Sequence, residues 1–153
     1  MKKICSTILA LMLAFSSISA LAQGNSLNIM GNTVMVDGVK QPSSLNLFIS
    51  YSDGSMKFSN TSLSAQKNLI ESEGDFVIDI SGTNVLKTGA DYAIKVIGSL
   101  TIQGDGVIDC TSEKAAIYVE GDVTISGGTV IAKATGENFY GIYATGTITV
   151  EEG

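Results

Sequence analysis

Apolar and polar positions alternate through the second half of the chain, and the alternation recurs at a fixed interval. The segment Ile94-Lys95-Val96-Ile97-Gly98-Ser99-Leu100-Thr101-Ile102 is the first clear copy. Ile117-Tyr118-Val119-Glu120-Gly121-Asp122-Val123-Thr124-Ile125 and Ile142-Tyr143-Ala144-Thr145-Gly146-Thr147-Ile148-Thr149-Val150 are the next two. Each copy has an alternating apolar segment, a glycine, one residue, and then apolar-Thr-apolar. Gly98, Gly121 and Gly146 are spaced by 23 and 25 residues, and a looser copy with Ile70, Gly74, Phe76 and Ile78 lies 24 residues upstream. Period-two alternation predicts strands, and a fixed interval of this size predicts a stacked solenoid.

Each repeat has room for three short strands. In one rung they are expected at 93–97, 99–103 and 106–110, and in the next at 116–120, 122–126 and 129–134. The leucine spacing and asparagine ladder of leucine-rich repeats are missing, although the period is similar. The predicted fold is therefore all-β: a right-handed parallel β-helix of about three to four rungs over residues 68–153. Ile94, Val96, Leu100 and Ile102 should point inward, with their counterparts at Ile117, Val119, Val123 and Ile125 and at Ile142, Ala144, Ile148 and Val150. Gly74, Gly98, Gly121 and Gly146 should mark one corner, where a sharp bend favours positive φ. Gly104-Asp105-Gly106 and Gly127-Gly128 should mark a second.

The period is absent from 23 to 67. Apolar runs around Gly31-Asn32 predict one hairpin, and runs around Asp53-Gly54 predict another. Residues 40–44, with Pro42, predict a loop, and 59–67 give no periodic signal. This region is expected to cap the first rung with β-hairpins, because an open solenoid end exposes strand edges and apolar core. At the other end the repeat runs into Glu151-Glu152-Gly153. Either this charged tail alone protects the edge, or further rungs continue a longer protein, the latter being favoured; copies could also associate at the open edge.

Residues 1–22 read as a signal peptide. Lys2 and Lys3 form its positive region, Ile8 to Phe15 its apolar region, and Ala20-Leu21-Ala22 its cleavage site. The apolar run is short for a membrane span, so none is expected after cleavage. Secretion to the extracellular space or cell surface follows, the periplasm being the other compartment such a leader reaches. Cys110 alone then remains, and one thiol forms no internal disulfide. The net charge of −6 becomes about −8 once Lys2 and Lys3 leave, and the chain has no arginine. Nucleic acid is a poor partner for such a surface, since phosphate contacts supply most of that affinity.

The outward positions form columns. One is Glu71, Lys95, Tyr118, Tyr143; a second is Asp75, Ser99, Asp122, Thr147; a third is Val77, Thr101, Thr124, Thr149. Tyr118 and Tyr143 could stack on sugar rings, with Lys95, Asp122 and Thr147 bonding hydroxyls. The competing expectation is that the tyrosines simply brace neighbouring strands. Glu71 and Lys95 are expected to pair, and Phe139 and Tyr140 either cover a corner or project as a contact loop.

The run from Asp91 to Gly128 resembles secreted bacterial carbohydrate-binding β-helix proteins. It carries Asp91-Tyr92-Ala93-Ile94-Lys95-Val96, Leu100-Thr101-Ile102 and Thr124-Ile125-Ser126-Gly127-Gly128-Thr129-Val130. The resemblance implies a non-catalytic, polysaccharide-lyase-like fold that binds cell-wall polymers such as cellulose and pectin. It also implies calcium, whose ligands map onto no motif here. Asp105, Asp109, Glu120, Asp122 and Glu137 lack the spacing of a defined calcium loop. No other cofactor is expected. An enzyme is not expected either: lyases on this fold use a basic residue, usually arginine, and polygalacturonases use aspartates with a histidine. The chain has no Arg and no His. The function expected is recognition of a polysaccharide or cell-surface glycan. The alternative is a structural or adhesive surface solenoid without a glycan ligand.

Overall fold

The computed structural model describes residues 27–30, 33–36, 39–40, 49–52, 54–66 and 68–151. The expected signal peptide, the Pro42 loop and the turn residues Gly31, Asn32, Asp37, Gly38 and Asp53 lie outside the described residues. Four short strands come first: β1 (Leu27–Met30), β2 (Thr33–Val36), β3 (Val39–Lys40) and β4 (Ile49–Ser52). They are followed by β5 (Ser55–Ser59), β6 (Ser62–Ala65), β7 (Ile70–Glu73), β8 (Phe76–Ser81) and β9 (Thr83–Thr88). Then come β10 (Ile94–Ile97), β11 (Leu100–Gly104), β12 (Val107–Ser112), β13 (Ile117–Val119), β14 (Val123–Ile125) and β15 (Thr129–Ala134). β16 (Ile142–Ala144) and β17 (Ile148–Val150) complete the order. Among the described residues there is no helix.

The strands stack into three sheets. The first runs β16-β13-β10-β7-β1-β2-β3, the second β17-β14-β11-β8-β5-β4, and the third β15-β12-β9-β6. Every pairing from one turn to the next is parallel, so the chain is a parallel β-solenoid of about four turns. The predicted register holds residue by residue. Ile70 pairs with Ile94, Ile94 with Ile117 and Ile117 with Ile142. Phe76, Leu100, Val123 and Ile148 form the matching column on the second sheet.

The parallel stack starts earlier than the glycine repeat. β6 falls in the Ser-rich stretch that carries no periodic signal, yet it pairs in parallel with β9. β5 pairs in parallel with β8, and β1 with β7. Antiparallel strands lie beyond two of these: β2 beside β1, and β4 beside β5.

The interior is filled by one column per inward position. Ile94, Val96, Leu100, Ile102, Ile117, Val119 and Val123 are fully buried. Burying each such side chain contributes about 1.5–3 kcal/mol. The lower turns hold the bulkiest ones, Met56, Phe58 and Phe76. Asn84 is a buried polar exception with complete hydrogen bonding. Its Oδ1 accepts from the Thr61 N–H at 3.1 Å, and its Nδ2 donates to the Ser81 and Val107 carbonyls at 3.1 Å each. It therefore ties three successive turns together. On the outside, Lys57–Asp79, Lys114–Asp91 and Lys133–Asp109 pair at 2.8, 2.8 and 3.2 Å. Exposed pairs of this kind contribute about 0–1 kcal/mol each.

The corner glycines serve two purposes. Gly98 has φ +143 and a virtual Cβ would lie 2.5 Å from the Gly74 carbonyl carbon. Gly121 and Gly146 were expected to share the positive φ but do not; a Cβ on Gly121 would lie 2.5 Å from the Gly98 carbonyl oxygen, and one on Gly146 would meet the Asp122 carboxylate and the Gly121 carbonyl. Stacked backbones, rather than backbone dihedrals, exclude a side chain there.

Candidate functional site

The outside of the first sheet carries the densest group of chemically distinctive side chains. Strand alternation puts Glu71, Lys95, Tyr118 and Tyr143 in one outward column, because each pairs in register with the next. The Tyr118 and Tyr143 rings are stacked, with centroids 5.3 Å apart and planes 6° apart. Two further tyrosines extend the pair. Tyr92 lies 4.8 Å from Tyr118 at 35°, and Tyr140 lies 6.0 Å from Tyr143 at 41°. The result is a continuous row, Tyr92–Tyr118–Tyr143–Tyr140, whose first two steps cross from turn to turn and whose last stays within one turn.

Sequence reasoning missed Tyr92 as a member of this row and left Tyr140 undecided. Both stand two residues ahead of a strand, before Ile94 and Ile142, where alternation no longer assigns a face. Their equivalence in the repeat was the signal that could have found them. Tyr140 is 62% exposed while its ring rests near Tyr143, and the half-exposed Phe139 ring lies against Gly136, so these side chains both cover the bend and face outward. The Tyr118 hydroxyl donates to Glu120 Oε1 at 3.2 Å. Partial desolvation, then the hydrogen bond to Glu120 and its charge, raise the Tyr118 pKa above the ordinary tyrosine value.

Below the row lies a small depression lined by Glu71, Ser72, Glu73, Lys95 and Ile97. The expected Glu71–Lys95 ion pair is not formed. Glu71 Oε1 instead accepts from Asn68 Nδ2 at 2.6 Å. Lys95 belongs to none of the ion pairs found among the described residues.

Asp122 and Thr147 stand elsewhere, at the corner between the first and second sheets. Asp122 Oδ1 accepts the Thr147 backbone N–H at 2.8 Å. Asp75 does the same for Ser99 at 2.8 Å. A carboxylate on one turn thus anchors the backbone of the next. The five candidate residues accordingly divide: Lys95, Tyr118 and Tyr143 share a column, while Asp122 and Thr147 bond to each other beside it.

Cys110 is fully buried and free. Burial, and then the neighbouring Asp109 charge, push its pKa far above that of an ordinary thiol, so it stays protonated and unreactive. Among the described residues no three His, Cys, Asp or Glu side chains gather into a metal-holding group. Nor is any helix there long and apolar enough to cross a membrane.

The chain matches no family model, no curated protein and no solved structure.

Proposed function

We propose that this chain is a secreted polysaccharide-binding solenoid, working at the cell surface or outside it. A glycan would lie along the outside of the first sheet. The supporting observation is the group of four neighbouring tyrosines, spread over three turns beside the Lys95 depression. Aromatic surfaces beside a few placed polar groups are what ligand sites use to fix orientation. The stacking changes which rings would do this. Tyr118 and Tyr143 cover each other's faces, so they offer edges and hydroxyls. Tyr140, tilted and exposed, offers a ring face. Glu71, Glu73 and Lys95 would bond sugar hydroxyls. In this reading the chain binds and does not catalyse. Calcium and cellulose- or pectin-like polymers enter only through the resemblance of the 91–128 motif. Further turns or a second copy would stack on the open edges of β15, β16 and β17.

The test is retention on a panel of soluble and insoluble polysaccharides. Wild-type protein should be retained by at least one. Tyr140→Ala combined with Tyr143→Ala should lose retention while its thermal unfolding stays cooperative. If wild-type protein is retained by none, the reading fails.

The second reading is a structural or adhesive solenoid. The Tyr118–Tyr143 stack and the Asp122–Thr147 bond favour it, because both join successive turns. Under this reading the tyrosine double variant loses stability and no glycan binds.

A further inference from the structure

We infer that the tyrosine row is a site of oxidative cross-linking, with Tyr140 as its coupling point. This inference stands independently of glycan binding. Four of the five tyrosines in the chain belong to the row. Adjacent centroids are 4.8, 5.3 and 6.0 Å apart, close enough for an electron vacancy on one phenol to be shared with the next. The chain has no tryptophan, and among the described side chains the other readily oxidised groups, Cys110 and Met56, are fully buried. A phenol must lose a proton when it loses an electron. At Tyr118 a carboxylate is already placed to take it, since the hydroxyl donates to Glu120 Oε1 at 3.2 Å. At the other end Tyr140 is 62% exposed and can meet a second copy of the chain.

The chemistry requires a one-electron oxidant, of the class formed by a haem peroxidase with hydrogen peroxide. Each of two phenols gives up one electron and its phenolic proton. Peroxide takes two electrons and two protons and becomes two waters. The two phenoxyl radicals join by a carbon–carbon bond between ring positions next to the hydroxyls. The two ring hydrogens then move to the phenol oxygens, and the product has lost two hydrogens overall. Tyr118 and Tyr143, lying face to face, are poorly arranged for such a bond with each other. Tyr140 is free to form it between molecules.

The experiment treats the whole protein with horseradish-type peroxidase and hydrogen peroxide. Dityrosine fluorescence, covalent dimer on denaturing gels and peptide mass spectrometry are the readouts. The expected product is a dimer joined through Tyr140 peptides. Tyr140→Phe, which keeps the ring and removes only the oxidisable hydroxyl, should abolish it. Tyr118→Phe should lower the yield while leaving Tyr140 as the linked residue, because it interrupts the row. A dimer that persists in Tyr140→Phe, a link through Tyr51 peptides, an unchanged yield in Tyr118→Phe, or no dimer at all overturns the inference.

Discussion

The two ends of the solenoid carry similar inward patterns and bury them differently. In β5, at the lower end, Met56 and Phe58 are essentially inaccessible. In β17, at the upper end, Ile148 is 46% and Val150 70% exposed. The column position is not the cause. Val150 lies over Ile125 and Ile102, and Ile102 is fully buried. The difference is in the neighbours: β5 lies between β8 and the antiparallel β4, while β17 pairs with β14 alone among the described strands. A turn of this fold does not bury its own apolar residues. The turns above and below do it.

The largest test of that difference is truncation within one column. Ile102→Ala should cost about 2–5 kcal/mol, the range for a fully packed aliphatic side chain. Val150→Ala should cost less than about 1 kcal/mol, since an exposed side chain loses little transfer energy. Denaturant midpoints at constant slope read both. Equal costs would mean that something covers β17 in solution.

The corner provides the next test. Gly74 and Gly98 both have positive φ, at +93 and +143. A Cβ on Gly74 meets nothing within 4 Å, while one on Gly98 meets the Gly74 backbone. Gly74→Ala should therefore cost about 1–2 kcal/mol from the backbone conformation alone. Gly98→Ala should cost more, because adjacent turns must also move apart. Comparable melting temperatures for the two variants would count against the close stacking.

Cys110 probes the middle of the stack by pH. Burial raises its pKa above the ordinary 9.0, so the folded chain keeps the proton where the unfolded chain releases it. Its contribution to stability is complete below pH 9 and declines as pH rises above that value. The slope attributable to it approaches about 1.4 kcal/mol per pH unit. Subtracting the profile of Cys110→Ala isolates this part, and an identical profile in that variant would refute it. Thiol reagents should modify Cys110 only as the chain unfolds.

Asp122→Ala gives the smallest effect. It removes the acceptor for the Thr147 N–H, one exposed bond that water can replace, so the cost is at most about 0.5 kcal/mol. Faster hydrogen exchange at Thr147, with little change in the global midpoint, is the expected outcome. Asp75→Ala should loosen Ser99 less, because that turn is covered from above.

The repeat was legible because side-chain alternation and turn length both register in the sequence. Ile94, Ile117 and Ile142 stand where the spacing put them, and so do Lys95, Tyr118 and Tyr143. The first turn was legible only in part: the antiparallel pairings of β1 with β2 and of β4 with β5 were expected, but the parallel stacking of β1, β5 and β6 on the next turn was not. Ser62–Ala65 has no corner glycine and few apolar residues, and only its pairing with β9 makes it a strand. The tyrosine row was half legible, since Tyr92 and Tyr140 sit at bends where alternation lapses. The role of Asp122 was hidden for another reason. A carboxylate that accepts a backbone N–H from the next turn looks, in sequence, like any surface aspartate.

The pairing of each strand with its counterpart one turn away also bears on how the chain folds. Ser99, Asn84 and Thr147 make their contacts across 24, 23 and 25 residues respectively. Each added turn thus closes a loop of nearly constant length, and the entropic cost depends only logarithmically on that length. Growth from a first formed pair of turns would proceed at a steady free-energy increment, as in a one-dimensional zipper. The Phe58–Phe76 region, with its bulky interior and the antiparallel β4 on one side, is the expected nucleus, so Phe58→Leu should slow folding more than it speeds unfolding. Duplication of a whole turn would leave that nucleus untouched, so the molecule can change length without having to invent a new way to fold.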